Sequence, residues 1–110
     1  LETAKRQVAD DRKTLAQFEK EAIASKAGEA DVKLGEAFLS YDQPAKAVEA
    51  MQRGIAKGGV KSLDDANLSL GRAFLAAGDR AAAETAFSLV KKPDYALLAQ
   101  LWSVITAQQP

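Results

Sequence analysis

Two pairs of adjacent acidic residues are the features of this sequence whose residue types come closest to those of a catalytic site. They are Asp10-Asp11 and Asp64-Asp65, and two convergent carboxylates can act as general acid and general base. Neighbouring residues on a helix, however, point about 100° apart and do not converge on one substrate. The second pair also falls at a predicted helix start, where carboxylates stabilise the helix dipole. Neither pair is therefore predicted to be catalytic.

A glycine-containing segment is the second candidate, because residues 58–62 read Gly-Gly-Val-Lys-Ser. Glycine, lysine and serine close the phosphate-binding loop of nucleotide-binding proteins, whose full pattern is G-x-x-x-x-G-K-[ST] after a strand. This segment lacks that spacing, and no predicted strand precedes it. The sequence therefore does not predict a phosphate site.

The residue types that are missing exclude more chemistry than these features suggest. The 110 residues include no Cys and no His, which removes thiolate metal sites, cysteine nucleophiles, His-dependent triads and haem ligation by His. Carboxylate, lysine or serine chemistry remains possible, or no chemistry at all. We predict that the chain is not an enzyme and that it holds no metal and no cofactor.

The charge distribution bounds the kinds of partner. Fifteen basic residues balance fifteen acidic ones, and the balance holds in each third of the chain, whereas proteins that bind nucleic acids usually carry a basic excess. The longest stretch without a formal charge is 95–110, which is too short and too polar to span a bilayer. The sequence therefore predicts no nucleic-acid partner and no membrane span.

The elements that must position any site are helices. No segment alternates with the period of a strand, and helix-breaking or capping residues punctuate the chain at Gly28, at Asp42-Gln43-Pro44, at Gly58-Gly59 with Ser62, at Gly78-Asp79 and at Pro93-Asp94. The sequence predicts one all-α domain over 1–110, with short connections and antiparallel neighbours. Its predicted parts are a long N-terminal helix (1–26), two hairpins (29–58 and 63–92) and a capping helix (94–108).

The two predicted hairpins are copies of one another. Shifting the chain by 36 residues aligns Leu34-Gly35-x-x-Phe38-Leu39 with Leu70-Gly71-x-x-Phe74-Leu75. The pairs Ala47-x-x-x-Met51 and Ala83-x-x-x-Phe87 follow at the same interval. Internal repetition on this scale is typical of helical repeat proteins.

These residues resemble the tetratricopeptide repeat (TPR) family, whose pattern is W-x-x-L-G-x-x-Y, then A-x-x-x-F, then P. The resemblance covers 29 to about 93. Asp31 and Asn67 stand where the family has Trp. The resemblance implies an α-solenoid of about two repeats, in which the first helices of the hairpins line a concave groove that binds a peptide or helix of a partner protein.

In this sequence, the resemblance places the groove-lining residues on the first helix of each hairpin, beside the apolar residues predicted to form the core. Val32, Glu36 and Leu39 form one row and Leu68, Arg72 and Leu75 a parallel one, with Asp65 beside them. We expect a protein or peptide partner, held by apolar contacts with modest polar anchoring. The alternative is that these aliphatic residues are core, covered by the N-terminal helix.

A structural role in homo-oligomerisation, with no open ligand groove, is the alternative function. Two repeats are fewer than the three that a stable array usually needs, so the sequence predicts a homodimer or further flanking repeats. The chain begins without Met and is predicted to be a fragment or processed piece. A loose similarity to the C-terminal end of bacterial cell-envelope TPR proteins weakly favours the periplasm over the cytoplasm.

Overall fold

The computed structural model describes residues 2–91, 97 and 100–105, and the side chains of these from residue 12 onward. Within that part of the chain all regular structure is helical and no strand occurs, so the all-α prediction is confirmed there. The helices are α1 (Glu2–Ala24), α2 (Glu29–Ser40), α3 (Pro44–Lys57), α4 (Leu63–Ala76) and α5 (Arg80–Ser88). Residue 97 and residues 100–105 are also helical and are called the C-terminal segment. The rest of the predicted capping helix lies outside the described residues.

The helix boundaries follow the predicted capping residues at three places. Ser62 Oγ accepts a hydrogen bond from the backbone N–H of Asp65 at 3.2 Å, and Asp79 Oδ1 accepts one from Ala82 at 3.1 Å. Pro44 opens α3 at its first position, where the missing N–H has no cost. The side chains of Ser62 and Asp79 satisfy N–H groups that α4 and α5 leave without an internal partner.

The prediction for Gly28 is wrong. A glycine just after the helix predicted over 1–26 predicts the stop of that helix, but α1 ends at Ala24 and Gly28 is the N-cap of α2, with φ −79° and ψ −7°. Its backbone N–H donates to the carbonyl of Gly58 at 2.7 Å. Gly28 therefore joins the start of α2 to the end of α3, as expected for two antiparallel helices.

The turn of the first hairpin is repeated in the second at the same interval of 36 residues. The backbone N–H of Gln43 donates to Phe38 and that of Asp79 to Phe74, both at 2.9 Å. Each turn contains one residue with positive φ, Asp42 at 59° and Gly78 at 87°. The sequence duplication thus corresponds to a duplicated helical hairpin.

Gly35 and Gly71 let the two helices of each hairpin approach closely. A Cβ at Gly35 would collide with Met51 Cγ and lie 3.0 Å from the carbonyl oxygen of Ala47. A Cβ at Gly71 would collide with the ring of Phe87, whose Cδ1 and Cζ would lie at 2.5 and 2.8 Å. The space that each glycine leaves is filled by the large side chain of the partner helix.

Gly71→Ala is expected to destabilise the chain by about 1–2 kcal/mol, because overpacking against Phe87 outweighs the helix propensity gained. The matched test is the same substitution in a Phe87→Leu background. Removing the ring removes the obstacle, so there Gly71→Ala should be neutral or stabilising. Urea unfolding followed by circular dichroism measures both. An equal cost in the two backgrounds would contradict the packing described here.

Each helix packs on the next along the chain, and α2 also contacts α4. The main core cluster draws buried residues from α1 to α5: Ala22, Leu34, Phe38, Ala47, Ala50, Met51, Leu70, Ala73 and Ala86. A second cluster contains Ala83, Phe87 and Val90, with Leu68, Phe74, Leu75 and Trp102 packed against it. Trp102 thus joins the C-terminal segment to the second hairpin. In the described residues no helix combines the length and the apolar character that crossing a bilayer requires.

Candidate functional site

A cleft of about 270 Å³ lies where α2 and α4 run side by side. Its apolar surface comes from Val32, Ala66 and Leu68, and its polar residues are Glu29, Lys33, Glu36, Lys61, Ser62, Asp65, Ser69 and Arg72. The first helices of the two hairpins supply most of this lining, and the α3–α4 connection supplies Lys61 and Ser62. The cleft is therefore built by the duplication itself.

The structure brings together most of the residues predicted to line a groove. Val32, Glu36, Asp65, Leu68 and Arg72 all line the α2–α4 cleft. Leu39 lines an adjoining depression of about 340 Å³, together with Glu36, Ser40, Ser69 and Arg72. Leu75 is placed elsewhere, half-buried against the second core cluster.

The contacts of α1 show whether this helix covers the aliphatic residues predicted to line the groove. Its described side chains Leu15, Phe18 and Ala22 pack in the main core cluster, with Leu39 at the edge of the same cluster. No described side chain of α1 lines the α2–α4 cleft. Val32 is a core residue with 4% exposure, and Leu68 is half-buried against the second core cluster. Both line the cleft without being covered by a described side chain of α1, and Leu68 offers more apolar surface to it than Val32.

The rim of the cleft carries three acids and three bases. Ser69 Oγ on α4 donates a hydrogen bond to Glu36 Oε1 on α2 at 3.3 Å, which links the two walls. Lys33 Nζ lies 3.9 Å from Glu36 Oε2, and both side chains are exposed, so this ion pair contributes little to stability. These charges remain accessible to a ligand.

Arg72 stands where the cleft meets the C-terminal segment. Its guanidinium lies 5.2 Å from the centroid of the Trp102 ring, a cation–π contact. Trp102 in turn stacks on Phe87, with centroids 6.5 Å apart and the rings inclined by 18°. The aromatic pair thus supports a basic group at one end of the cleft.

A buried carboxylate lies directly behind the cleft floor and was not predicted as a functional residue. Asp31, the neighbour of Val32, is 0% exposed. Arg53 Nε donates to its Oδ1 at 2.9 Å, and Lys57 Nζ lies 2.6 Å from its Oδ2. One signal for this residue is present in the sequence, because Asp31 is an acid at a position where the repeat pattern has a core residue, and a buried charge needs partners. The sequence does not show that these partners are Arg53 and Lys57.

Lys57 also holds the end of α1. Its ammonium donates to the carbonyl oxygens of Ala22, Ile23 and Ser25 at 2.9–3.1 Å, which lie in the last turn of α1 and just beyond it, where helix carbonyls lack their usual partners. The same ammonium lies 2.6 Å from Asp31 Oδ2, so the carboxylate and the three carbonyl oxygens share its three protons. Asp31, Arg53 and Lys57 form the network called the Asp31 cluster below.

The acidic pair at 64–65 has structural contacts. Asp64 Oδ1 accepts a hydrogen bond from the backbone N–H of Lys91 at 3.0 Å, which ties the start of α4 to the chain after α5. Asp65 belongs to the first turn of α4 and lines the cleft. Among the residues that the structure describes, no group of three or more potential metal ligands lies together.

Other cleft residues were missed in the sequence. Glu29 lies one helical turn before Val32, and Lys33 lies one turn before Glu36. Helical spacing from the predicted row could therefore have identified both. Lys61 and Ser62 come from a connection whose path the sequence does not specify.

Comparisons with known proteins add no relative. The chain matches no family model, no curated protein and no solved structure. The likeness to TPR proteins therefore depends on the repeated residues given above, and the function has to be inferred from the cleft and its chemistry.

Proposed function

We propose that this chain is a protein-interaction module, a TPR-like scaffold that binds a peptide or helix of a partner protein in the α2–α4 cleft. The observation that carries the proposal is the composition of the cleft. An apolar floor of Val32 and Leu68 lies between charged side chains contributed by both hairpins. Grooves of this kind hold a ligand by apolar burial and fix its register by polar contacts.

The duplication supports the proposal because it places complementary groups at equivalent positions. Val32 corresponds to Leu68, so both hairpins present an aliphatic side chain to the floor. Glu36 corresponds to Arg72, so the same position is acidic in one hairpin and basic in the other. A ligand that crosses the cleft at this level meets Glu36 on α2 and Arg72 on α4.

The partner chemistry follows from this arrangement. We expect a segment with one or two aliphatic side chains for the floor, a basic residue facing Glu36 and an acidic residue facing Arg72. Because acids and bases balance on the rim, strongly charged ligands of one sign gain no general attraction. Shape and apolar contact, rather than net charge, would then determine the affinity.

Charge reversal in the cleft tests the proposal. Peptides that bind are first selected from a random display library on the wild-type chain, and their affinities are measured by fluorescence anisotropy. Glu36→Lys and Arg72→Glu should each weaken binding about tenfold or more, since each turns an attraction into a repulsion. The matched controls are Glu49→Lys on α3 and Lys13→Glu on α1, two exposed residues that do not line the cleft, and both should leave the affinity within about twofold.

The double variant Glu36→Lys/Arg72→Glu makes the test sharper. It preserves net charge but exchanges the two signs, so it should bind peptides in which the basic and acidic residues have been exchanged. Equal loss with the control variants, or no change in charge preference in the double variant, would contradict binding in this cleft. Failure to select any peptide that competes for the cleft would do the same.

A further inference from the structure

The C-terminal segment carries an exposed apolar row that the proposed peptide cleft does not use. Leu97 is 70% exposed, Leu101 57% and Val104 54%. Their spacing of four and three residues is that of one helical face. Three large aliphatic side chains in a row form the kind of exposed patch that marks an interaction surface in a protein of this size.

The segment is anchored on its other side. Trp102 is half-buried and stacks on Phe87 of α5, while Arg72 of α4 contacts the Trp102 ring. The exposed row is therefore presented by a helix whose position is fixed by the second hairpin.

A cleft of about 550 Å³ adjoins the row, between α5 and the C-terminal segment. Its lining combines apolar side chains (Phe87, Val90 and Val104) with the polar Gln100 and Ser103 and the acidic Glu84. Space next to an exposed row can receive side chains from the molecule that covers the row.

We propose that the row formed by Leu97, Leu101 and Val104 is the contact for a second copy of this chain. Residues 95–110 contain no charged side chain, so two identical segments can approach without repulsion between like charges. Among the described residues that line the adjoining cleft, Glu84 is the one that carries a charge, so this surface offers a charged partner few groups to pair with. In a two-fold arrangement the same patch serves both copies, and antiparallel packing places Leu101, the middle residue of the row, opposite its own counterpart.

The size of the patch sets the expected strength of the dimer. Stable complexes bury about 1,200–2,000 Å² in total, whereas three side chains and one cleft offer a few hundred Å² on each copy. The dimer is therefore expected to be weak, with a Kd of about 10–100 µM.

The molar mass of the 110-residue chain, measured by sedimentation equilibrium from about 5 to 500 µM, should rise from monomer to dimer. Leu101→Glu should weaken dimerisation at least tenfold, because it places a charge opposite its own copy. The matched control is Leu63→Glu at the start of α4, since Leu63 is 54% exposed but lies outside the row. Circular dichroism verifies that both variants remain folded.

Cross-linking supplies a second readout, since the chain has no cysteine of its own. A single Leu101→Cys variant should form disulfide-linked dimers rapidly on oxidation, and Leu63→Cys should not. A chain that stays monomeric at all concentrations, a dimer that survives Leu101→Glu, or equal cross-linking of the two cysteine variants would overturn the proposal. Because peptide binding depends on Glu36 and Arg72, failure of the dimer would leave the result for the cleft unaffected.

Discussion

Gly28→Ala is expected to lower the free energy of unfolding by about 3–4 kcal/mol, because the added methyl group would collide with main-chain atoms of α3. A Cβ at Gly28 would overlap the carbonyl oxygen of Gly54 and lie 2.5 Å from its carbonyl carbon and 2.8 Å from its Cα. All three are main-chain atoms of α3, which cannot rotate away as the ring of Phe87 can. Overpacking usually costs about 1–3 kcal/mol, and more where backbone must move.

The cost has a second source in the elements that Gly28 positions. Moving the start of α2 away from α3 would stretch the 2.7 Å hydrogen bond from Gly28 to Gly58. It would also move Asp31 and Val32, which lie in the first turn of α2. The substitution would thus admit water to a buried carboxylate and widen the cleft floor.

Two companion variants identify the cause of the loss, with stability measured by urea unfolding. Gly54→Ala approaches the same contact from α3, since its Cβ would lie 2.5 Å from the carbonyl oxygen of Gly28, and it should be similarly costly. Gly78→Ala meets no atom within 4 Å but has φ 87°. Because Asp42 adopts a positive φ of 59° at the equivalent position of the first hairpin, this substitution should cost only about 1 kcal/mol of backbone strain. If Gly28→Ala were no more costly than Gly78→Ala, the close approach of the two backbones would be refuted.

The sequence predicts this fold where local chemistry determines it. Ser62, Asp79 and Pro44 act through their own or nearby backbone groups, so the starts of α4, α5 and α3 follow from residue type. The repeated Leu-Gly-x-x-Phe-Leu pattern likewise predicts a duplicated hairpin, because packing inside a hairpin involves helices joined by short turns. The rows of the cleft follow from the same repetition.

The parts that were missed depend on contacts between residues distant in sequence. Gly28 is of the residue type that usually ends a helix. Only the close contact between its backbone and that of Gly54 shows why a glycine is required there. Leu75 follows the periodicity of the predicted groove, but it packs against the second core cluster, whose members lie on α5 and just after it. The partners of Asp31 lie on α3, and whether a polar residue at a core position is paired cannot be decided before the helix facing it is placed.

The Asp31 cluster connects three helices through one buried charge. Asp31 belongs to α2, Arg53 and Lys57 to α3, and Lys57 extends to the carbonyls at the end of α1. Arg53 and Lys57 are one helical turn apart, so without the carboxylate they would be neighbouring like charges. Since the carboxylate is the only member with no exposure, its loss would cost more than its net contribution to folding.

Asp31→Asn is expected to lower the free energy of unfolding by about 3 kcal/mol. Asparagine retains the size of the side chain but leaves two cations without their counter-charge. Breaking a buried pair costs about 3–5 kcal/mol, and the lower end applies because Arg53 and Lys57 are 28% and 21% exposed. Urea unfolding measures the change, and the cost should persist at high salt because buried pairs are screened only weakly.

Two comparisons separate the pair from a general effect of removing an acid. Asp65→Asn removes an exposed carboxylate from the first turn of α4 and should cost about 0.5 kcal/mol. In a Lys57→Met background Asp31→Asn should cost at least about 1 kcal/mol less than in the wild type, because one of the two cations is already absent. An equal cost in both backgrounds would show that Lys57 and Asp31 are not coupled, and Arg53 would then be the cation that compensates the buried carboxylate.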